Sequence, residues 1–308
     1  MHSSFLLISY CILAILITVS NKYILLTFIP YGYNANFFIL FIQSIISIIL
    51  LRIAKFYSYL TYREFNVIYL KSWIPIVVLL ILSIYSNGRS MLLLPISLFN
   101  ILKNFGSLLI IIGDVTWFGK VMGSSTVLSF LLVILSNFYS SYNDIFLSNG
   151  PQNLEGYTWA IMNCVACALY TLYVKYHRSI HKSVTNIEYV YYNTLLTTPI
   201  LLALSLNFEG VQCIYTIVQF NYSNLHIFVA SLLLSSLLTL LIAITIASIY
   251  KNCSITTYTI IGSLNKLAMT FASVLMFSDE KELYELRVNA IFGVIISLFT
   301  GIYIILYA

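Results

Sequence analysis

Long apolar runs separated by short polar loops organise this chain from end to end. A helix needs about 20 mainly apolar residues to cross a bilayer. Ten runs meet that length: 5–29, 34–57, 72–93, 95–113, 122–143, 157–177, 187–206, 226–249, 254–277 and 286–307. The first has no basic leader and ends in TVSNKY without a small-residue cleavage site, so it reads as a retained helix rather than a signal peptide. Loops are short, and the pattern shows no extramembrane domain. The division falls near Pro151, with five runs in 1–150 and five in 151–308. An odd number of spans per half puts the halves in opposite orientations. The expected fold class is therefore an all-α membrane protein of ten transmembrane helices in two inverted five-helix repeats.

Composition agrees with lipid as the main solvent. Hydrophobic residues make up 60% of the 308 and charged residues 8%, with a mean hydropathy of +0.95. A water-soluble domain carries about 25% charged residues. Five cysteines show no disulfide framework, and the Cys164-x-x-Cys167 pair lies in an apolar run with no second pair, so small packing residues are expected rather than a metal or redox site.

Basic residues alternate from loop to loop. Arg52, Lys55, Arg63 and Lys71 lie at and beyond the end of the second run; Lys120 follows the fourth; Lys175, Arg178 and Lys182 lie at and beyond the end of the sixth; Lys251 follows the eighth. The intervening loops carry Asp144 and Glu155, then Glu209, then SDEKELYELR at 278–287. Basic loops stay in the cytosol, so both termini are expected there. The net charge of +5 follows from this topology and does not indicate nucleic acid.

The informative polar residues are those at membrane depth: Lys22, Arg89, Lys103, Asp114 and Lys266. Intramembrane ionisable groups face a bundle interior or a cavity and mark substrate paths. Helical spacing gathers Asn100, Lys103, Asn104, Ser107 and Asp114 on one stripe, and Ser83, Ser86, Asn87 and Ser90 on another. Tyr258, Gly262, Asn265 and Lys266 share a third. Interhelical hydrogen bonding is the plain alternative for the serines. Lys22, Arg89 and Asp114 lie near run ends, where snorkelling or pairing would suffice. Lys266 lies mid-run, where snorkelling is hard, and that favours function. A basic excess in an uncharged bundle calls for an anion, and lysine suits phosphate oxygens. Gly262 lets a ligand approach the backbone. Tyr10, Tyr192 and Tyr258, among 25 tyrosines, offer rings with hydroxyls for a base or sugar.

GSLNK at 262–266 resembles the GALNK motif of GDP-mannose transporters, and YYNT at 191–194 resembles their FYNN motif. SYC at 9–11, TVSNK at 18–22, NFFILFIQS at 36–44 and NILKN at 100–104 are similar in order and spacing. The resemblance covers essentially the whole chain. It implies the nucleotide-sugar branch of the drug/metabolite transporter superfamily, antiporters of the Golgi apparatus. Such carriers exchange a cytosolic nucleotide sugar for a lumenal nucleoside monophosphate, need no cofactor and admit a homodimer. Carried onto this chain, Asn193 and Thr194 would read the base. Tyr258, Gly262, Ser263, Asn265 and Lys266 would hold sugar and phosphates, with Tyr10 closing on the sugar. Lys103, a cation at membrane depth on the fourth run's polar stripe, joins them on that ground rather than from the resemblance. Two departures bear on the base. Thr194 replaces a family asparagine, and Ala243 stands near a family serine that helps read guanine. GDP-mannose is the expected cargo, with a UDP-sugar or a sugar phosphate as the alternative. A membrane glycosyl- or phosphotransferase is the rival class. It would need Mg²⁺-binding carboxylates, and Asp114 stands alone at depth, so no enzyme is expected.

Overall fold

The computed structural model describes residues 2–28, 36–64, 66, 70–94, 96–119, 127–128, 131, 134–135, 154–210, 225–252, 256, 258–262 and 265. All regular structure in them is helical: α1 (His2–Phe28), α2 (Asn36–Phe56), α3 (Leu70–Leu93), α4 (Ile96–Phe118), α5 (Leu154–Ile180), α6 (Asn186–Leu204), a π-helical turn (Ser205–Glu209) and α7 (Leu225–Asn252). These are the first four and the sixth to eighth predicted runs. The fifth and ninth runs are described at a few helical positions, and the tenth lies outside the described residues. Among those described, four helices are long and apolar enough to cross a membrane, within α2, α3, α5 and α7.

Polar and apolar faces are reversed relative to a soluble protein. Leu233, Leu234, Leu237 and Leu241 of α7 point outward while Ser235 and Ser236 are fully buried. Gln43 and Ser47 of α2 and Ser86 and Ser90 of α3 are likewise buried, beside outward Ile49, Ile53, Val78 and Leu82. Lipid can cover the leucines, whereas polar groups must find partners inside the bundle. The protein is an integral membrane protein.

One boundary differs from expectation. α5 continues to Ile180, so Arg178, like Lys175 within the predicted run, belongs to its last turns rather than to a loop. Lys175 Nζ pairs with Asp114 of α4, which is fully buried and also accepts from Thr256 Oγ1 at 2.8 Å. Arg89 is no interior cation either: its guanidinium meets Glu155 at 3.0 Å in an exposed pair.

α1 packs on α7, α3 and α4 pack on α5, α2 packs on α6 and α7, and α6 also touches α3. Local sequence explains several of these ends. Thr185 and Glu188 form a capping box that starts α6. Glu188 Oε1 then accepts the Arg63 N–H at 2.9 Å, tying the loop after α2 to α6. Pro199, lacking an N–H, interrupts the α6 ladder. The helix then relaxes into the π-turn, which ends at Gly210 with φ 68°. That turn presents Glu209 to α2, where its two oxygens accept the N–H groups of Phe37 and Phe38 at 2.7 and 2.8 Å. Burial holds the Glu209 carboxyl above its ordinary range, although these N–H groups pull it down.

Candidate substrate site

α2, α3, α6 and α7 enclose a cavity of ≈ 150 Å³ whose wall includes Gln43, Ser47, Asn193, Thr194, Thr239 and Ala243. The two residues read from YYNT and the departure at Ala243 therefore share one wall. Gln43 and Ser47 were missed in the sequence, although their spacing of four on an apolar helix was the available signal. Gln43 is held rigidly: its Nε2 donates to Asn21 Oδ1 at 2.8 Å and to Ser235 Oγ at 2.7 Å. Thr239 Oγ1 reaches its carbonyl at 3.4 Å. The network joins α1, α2 and α7 behind the cavity.

In front of it, hydrogen-bonding capacity is left over. Ser47 Oγ is buried and has no partner among the described residues, and the same holds for Asn193 Oδ1. Thr194 Oγ1 donates to Val190 O at 2.8 Å. Its one hydrogen is committed, so towards a ligand it can only accept. Buried polar groups are normally satisfied, and unpartnered ones around a cavity are what a polar ligand would complete.

A second group lies beside the first. Tyr10 of α1, Tyr258 of the ninth run and Tyr250 of α7 form a ring cluster, with centroids 5.2 Å apart in both the Tyr10–Tyr258 and Tyr250–Tyr258 pairs. A Cβ on Gly262 would stand 3.6 Å from the Tyr10 hydroxyl, so Gly262 and Tyr10 face each other directly. The Asn265 amide is 3% exposed and lies within hydrogen-bonding reach of Tyr10. Tyr10, Tyr258, Gly262 and Asn265 thus converge; helical spacing groups the last three, and Tyr10 joins them in the sequence only through the family resemblance. Tyr170 of α5, also missed, adjoins Asn193 on one side and Tyr250 on the other, and so connects the two groups.

Lys103 approaches from α4. It lies within electrostatic reach of Cys164 and Cys167 of α5, and Cys167 in turn neighbours Tyr170 and Tyr250. The helices can meet closely there because Gly106 lies against the Cys164 backbone, where a Cβ would come within 3.2 Å. Cys164 itself is buried and donates to Leu102 O at 3.0 Å. Ser263 and Lys266 lie outside the described residues, as do the side chains of Lys22 and Asn100.

The GDP-mannose transporter of Komagataella pastoris is 34% identical over 279 residues, covering 90% of this chain and 84% of its own length. The chain belongs to the GDP-mannose transporter family. The Scheffersomyces stipitis transporter is also 34% identical, over 87% of this chain and 83% of its own. The Aspergillus niger transporter is 32% identical over 88% and 72%. These relatives are transporters, not enzymes, which removes the transferase alternative. No protein-family model matches the chain. A solved crystal structure with 11% identity aligns over 97% of this chain and 98% of its own at a TM-score of 0.69, a likeness of fold alone.

Proposed function

We propose that the protein exchanges cytosolic GDP-mannose for lumenal GMP across the Golgi membrane by alternating access. The observation that carries this reading is the acceptor-lined cavity at Asn193 and Thr194, in a chain whose relatives are GDP-mannose transporters. Guanine presents two adjacent donors, N1–H and the N2 amino group, beside one carbonyl acceptor. Asn193 Oδ1, Thr194 Oγ1 and Ser47 Oγ offer lone pairs to those donors. Uracil offers a single donor flanked by acceptors and uses such a wall less well. At ≈ 150 Å³ the cavity is below the roughly 300 Å³ of a pocket for a whole drug-sized ligand. In this reading it takes the base. The sugar lies towards Tyr10, Tyr258, Gly262, Ser263 and Asn265, and the phosphates towards Lys266 and Lys103.

The helix pairings support ten helices in two inverted repeats, 1–150 and 151–308. α3–α5 joins the third predicted run to the sixth, and α1–α7 joins the first to the eighth. Exchanging each run with its counterpart five places away converts one pair into the other. The same operation converts α2–α7 into α3–α6 and returns α2–α6 to itself. It also converts the α4–α5 packing into a contact between the first and ninth runs, where Tyr10 meets Tyr258. Alternating access then amounts to the halves rocking about a midplane site. Exchange is obligatory because a site with net positive charge reorients poorly when empty. Both termini are cytosolic in this scheme.

The test is uptake of labelled GDP-mannose into liposomes preloaded with GMP, under competition by GMP, UMP, CMP and AMP. GMP is expected to compete best, and preference for UMP would redirect the cargo to a UDP-sugar. Lys266→Ala should reduce uptake roughly ten- to a hundredfold, the loss of one charge-assisted contact. Near-normal uptake by that variant would remove Lys266 from the site. Thiol labelling of Ser148→Cys and Lys182→Cys checks topology, with opposite-side accessibility expected.

A further inference from the structure

A cavity near the ends of α5 and α7 lies outside the site just described. It measures ≈ 380 Å³ and is lined by Lys175, Arg178, His181, Lys182, Tyr250 and Lys251. No carboxylate lines it among the described residues. Of its four permanent cations only Lys175 has an acidic partner there, Asp114. That carboxylate is fully buried, with its second oxygen on Thr256. Three of the four, Arg178, Lys182 and Lys251, therefore carry charge with no acidic partner among the described residues.

Arg178 is held in place. Its Nη1 donates to Asn186 Oδ1 at 3.0 Å, Asn186 Nδ2 is fixed by Ser248 Oγ at 3.0 Å, and the guanidinium lies 4.2 Å over the Tyr189 ring. Its Nε and Nη2 are covered and have no hydrogen-bond partner among the described residues. Two ordinary explanations exist for cations at this end. They favour a helix C-terminus, and they retain a loop in the cytosol. Both account for exposed Lys182 and Lys251. Neither calls for a cavity, nor for an arginine braced by an asparagine and a tyrosine beside it.

Tyr250 lines this cavity and is also a member of the ring cluster, 5.2 Å from Tyr258. One tyrosine thus separates the basic cavity from the proposed substrate site. We propose that the cavity is a second, outer binding site for a phosphate-bearing anion, occupied before the ligand passes Tyr250. Its role as a waiting site rests on the transport reading above, whereas its affinity for phosphate does not. A braced guanidinium and flexible lysines suit the tetrahedral, multiply charged oxygens of a phosphate ester or diphosphate. The phosphate can come from a soluble nucleotide or from the head group of an acidic lipid.

The experiment compares the wild type with Lys182→Gln/Lys251→Gln, two exposed changes that leave the helix packing untouched. Pyrophosphate is titrated into each purified protein by calorimetry. The wild type is expected to bind one more equivalent than the variant, with an affinity that falls as salt rises. Equal stoichiometry and affinity in the two proteins overturns the outer site, whatever happens to transport. Both proteins are then placed in neutral phosphatidylcholine liposomes with GDP-mannose supplied from either side. From the cavity side the variant's KM should rise by about tenfold or less, in keeping with lost charge focusing. Vmax and the KM from the other side should hold. An equal change from both sides overturns the waiting role. Adding phosphatidylserine separates the sources: a wild-type KM that rises with acidic lipid while the variant's does not supports a lipid head group. A KM indifferent to acidic lipid supports the soluble phosphate. Should the wild type move no GDP-mannose, the carrier reading fails and the calorimetry alone judges the cavity.

Discussion

Thr194 illustrates how neighbours decide what a side chain offers a ligand. With its hydrogen committed to Val190 O, it adds an acceptor beside Asn193 Oδ1, and the Asn193 amide, already bonded to Tyr170, is the one side-chain donor these two residues keep for the guanine carbonyl. Thr194→Asn supplies an amide N–H, and GMP should gain on UMP and CMP as a competitor by about 1 kcal/mol, since the amide must also be desolvated and ordered. An unchanged preference in the competition assay would mean that this segment does not read the base edge. Asn193→Ala should weaken every nucleotide that uses its amide. Glu188 marks the limit of sequence reading at this scale. In the sequence it is one acid in a basic loop; in the structure it is 4% exposed, with its oxygens on the N–H groups of Thr185 and Arg63. The Thr185-x-x-Glu188 capping pattern is local and could be read. The contact with Arg63 spans 125 residues and left no local trace. Glu188→Ala should destabilise the fold by about 1–3 kcal/mol, measured as a lowered melting temperature in detergent.

The α4–α5 pair shows the same division between whole elements. The polar stripe on α4 was visible in its 3.6-residue spacing, and Asn104, Ser107 and Asp114 are indeed buried. Its partner face was not visible, because Lys175, although inside the run 157–177, reads with Arg178 and Lys182 as part of a basic loop. Seven residues apart, Gly106 and Gly113 let α4 lie against Cys164 and Leu172, and this brings Asp114 to Lys175. Removing one member of such a pair costs more than removing both, because the survivor keeps its desolvation cost without its partner. Asp114→Asn should therefore lower stability by an amount near the lower end of roughly 3–5 kcal/mol, since Lys175 retains 28% side-chain exposure. Asp114→Asn/Lys175→Met should recover most of that loss. If thermal denaturation finds the double variant no better than the single one, charge neutralisation is not what holds this crossing.

Across the whole molecule, the proposed site is tied at both ends, and exchange requires those ties to break in turn. At the end expected to face the cytosol, Asp114 joins α4, α5 and the ninth run, and Glu188 joins α6 to the loop after α2. At the opposite end the closure is aromatic. Tyr85 of α3 lies 5.3 Å from Trp159 of α5 and 4.9 Å from Phe208 of the π-turn, with Phe37 of α2 beside both Tyr85 and Phe208. The Arg89–Glu155 pair borders this cluster, but as an exposed pair it adds little. Ring contacts are short-ranged and contribute about 0.5–1.5 kcal/mol per pair beyond area burial. A ligand that stabilises the opened state by a few kcal/mol can therefore release them. If the proposed exchange opens this end, α3 and the π-turn must separate on every cycle. Tyr85→Cys/Phe208→Cys, in a background with the five native cysteines replaced, can be joined by a short thiol-cleavable cross-linker. The cross-linked protein should still bind GMP but lose at least about tenfold in exchange rate, the effect of a barrier raised by 1.4 kcal/mol or more. Reduction should restore the rate. Full cross-linking with unaltered exchange would show that this end stays shut throughout the cycle, and the passage would then have to run between other helices.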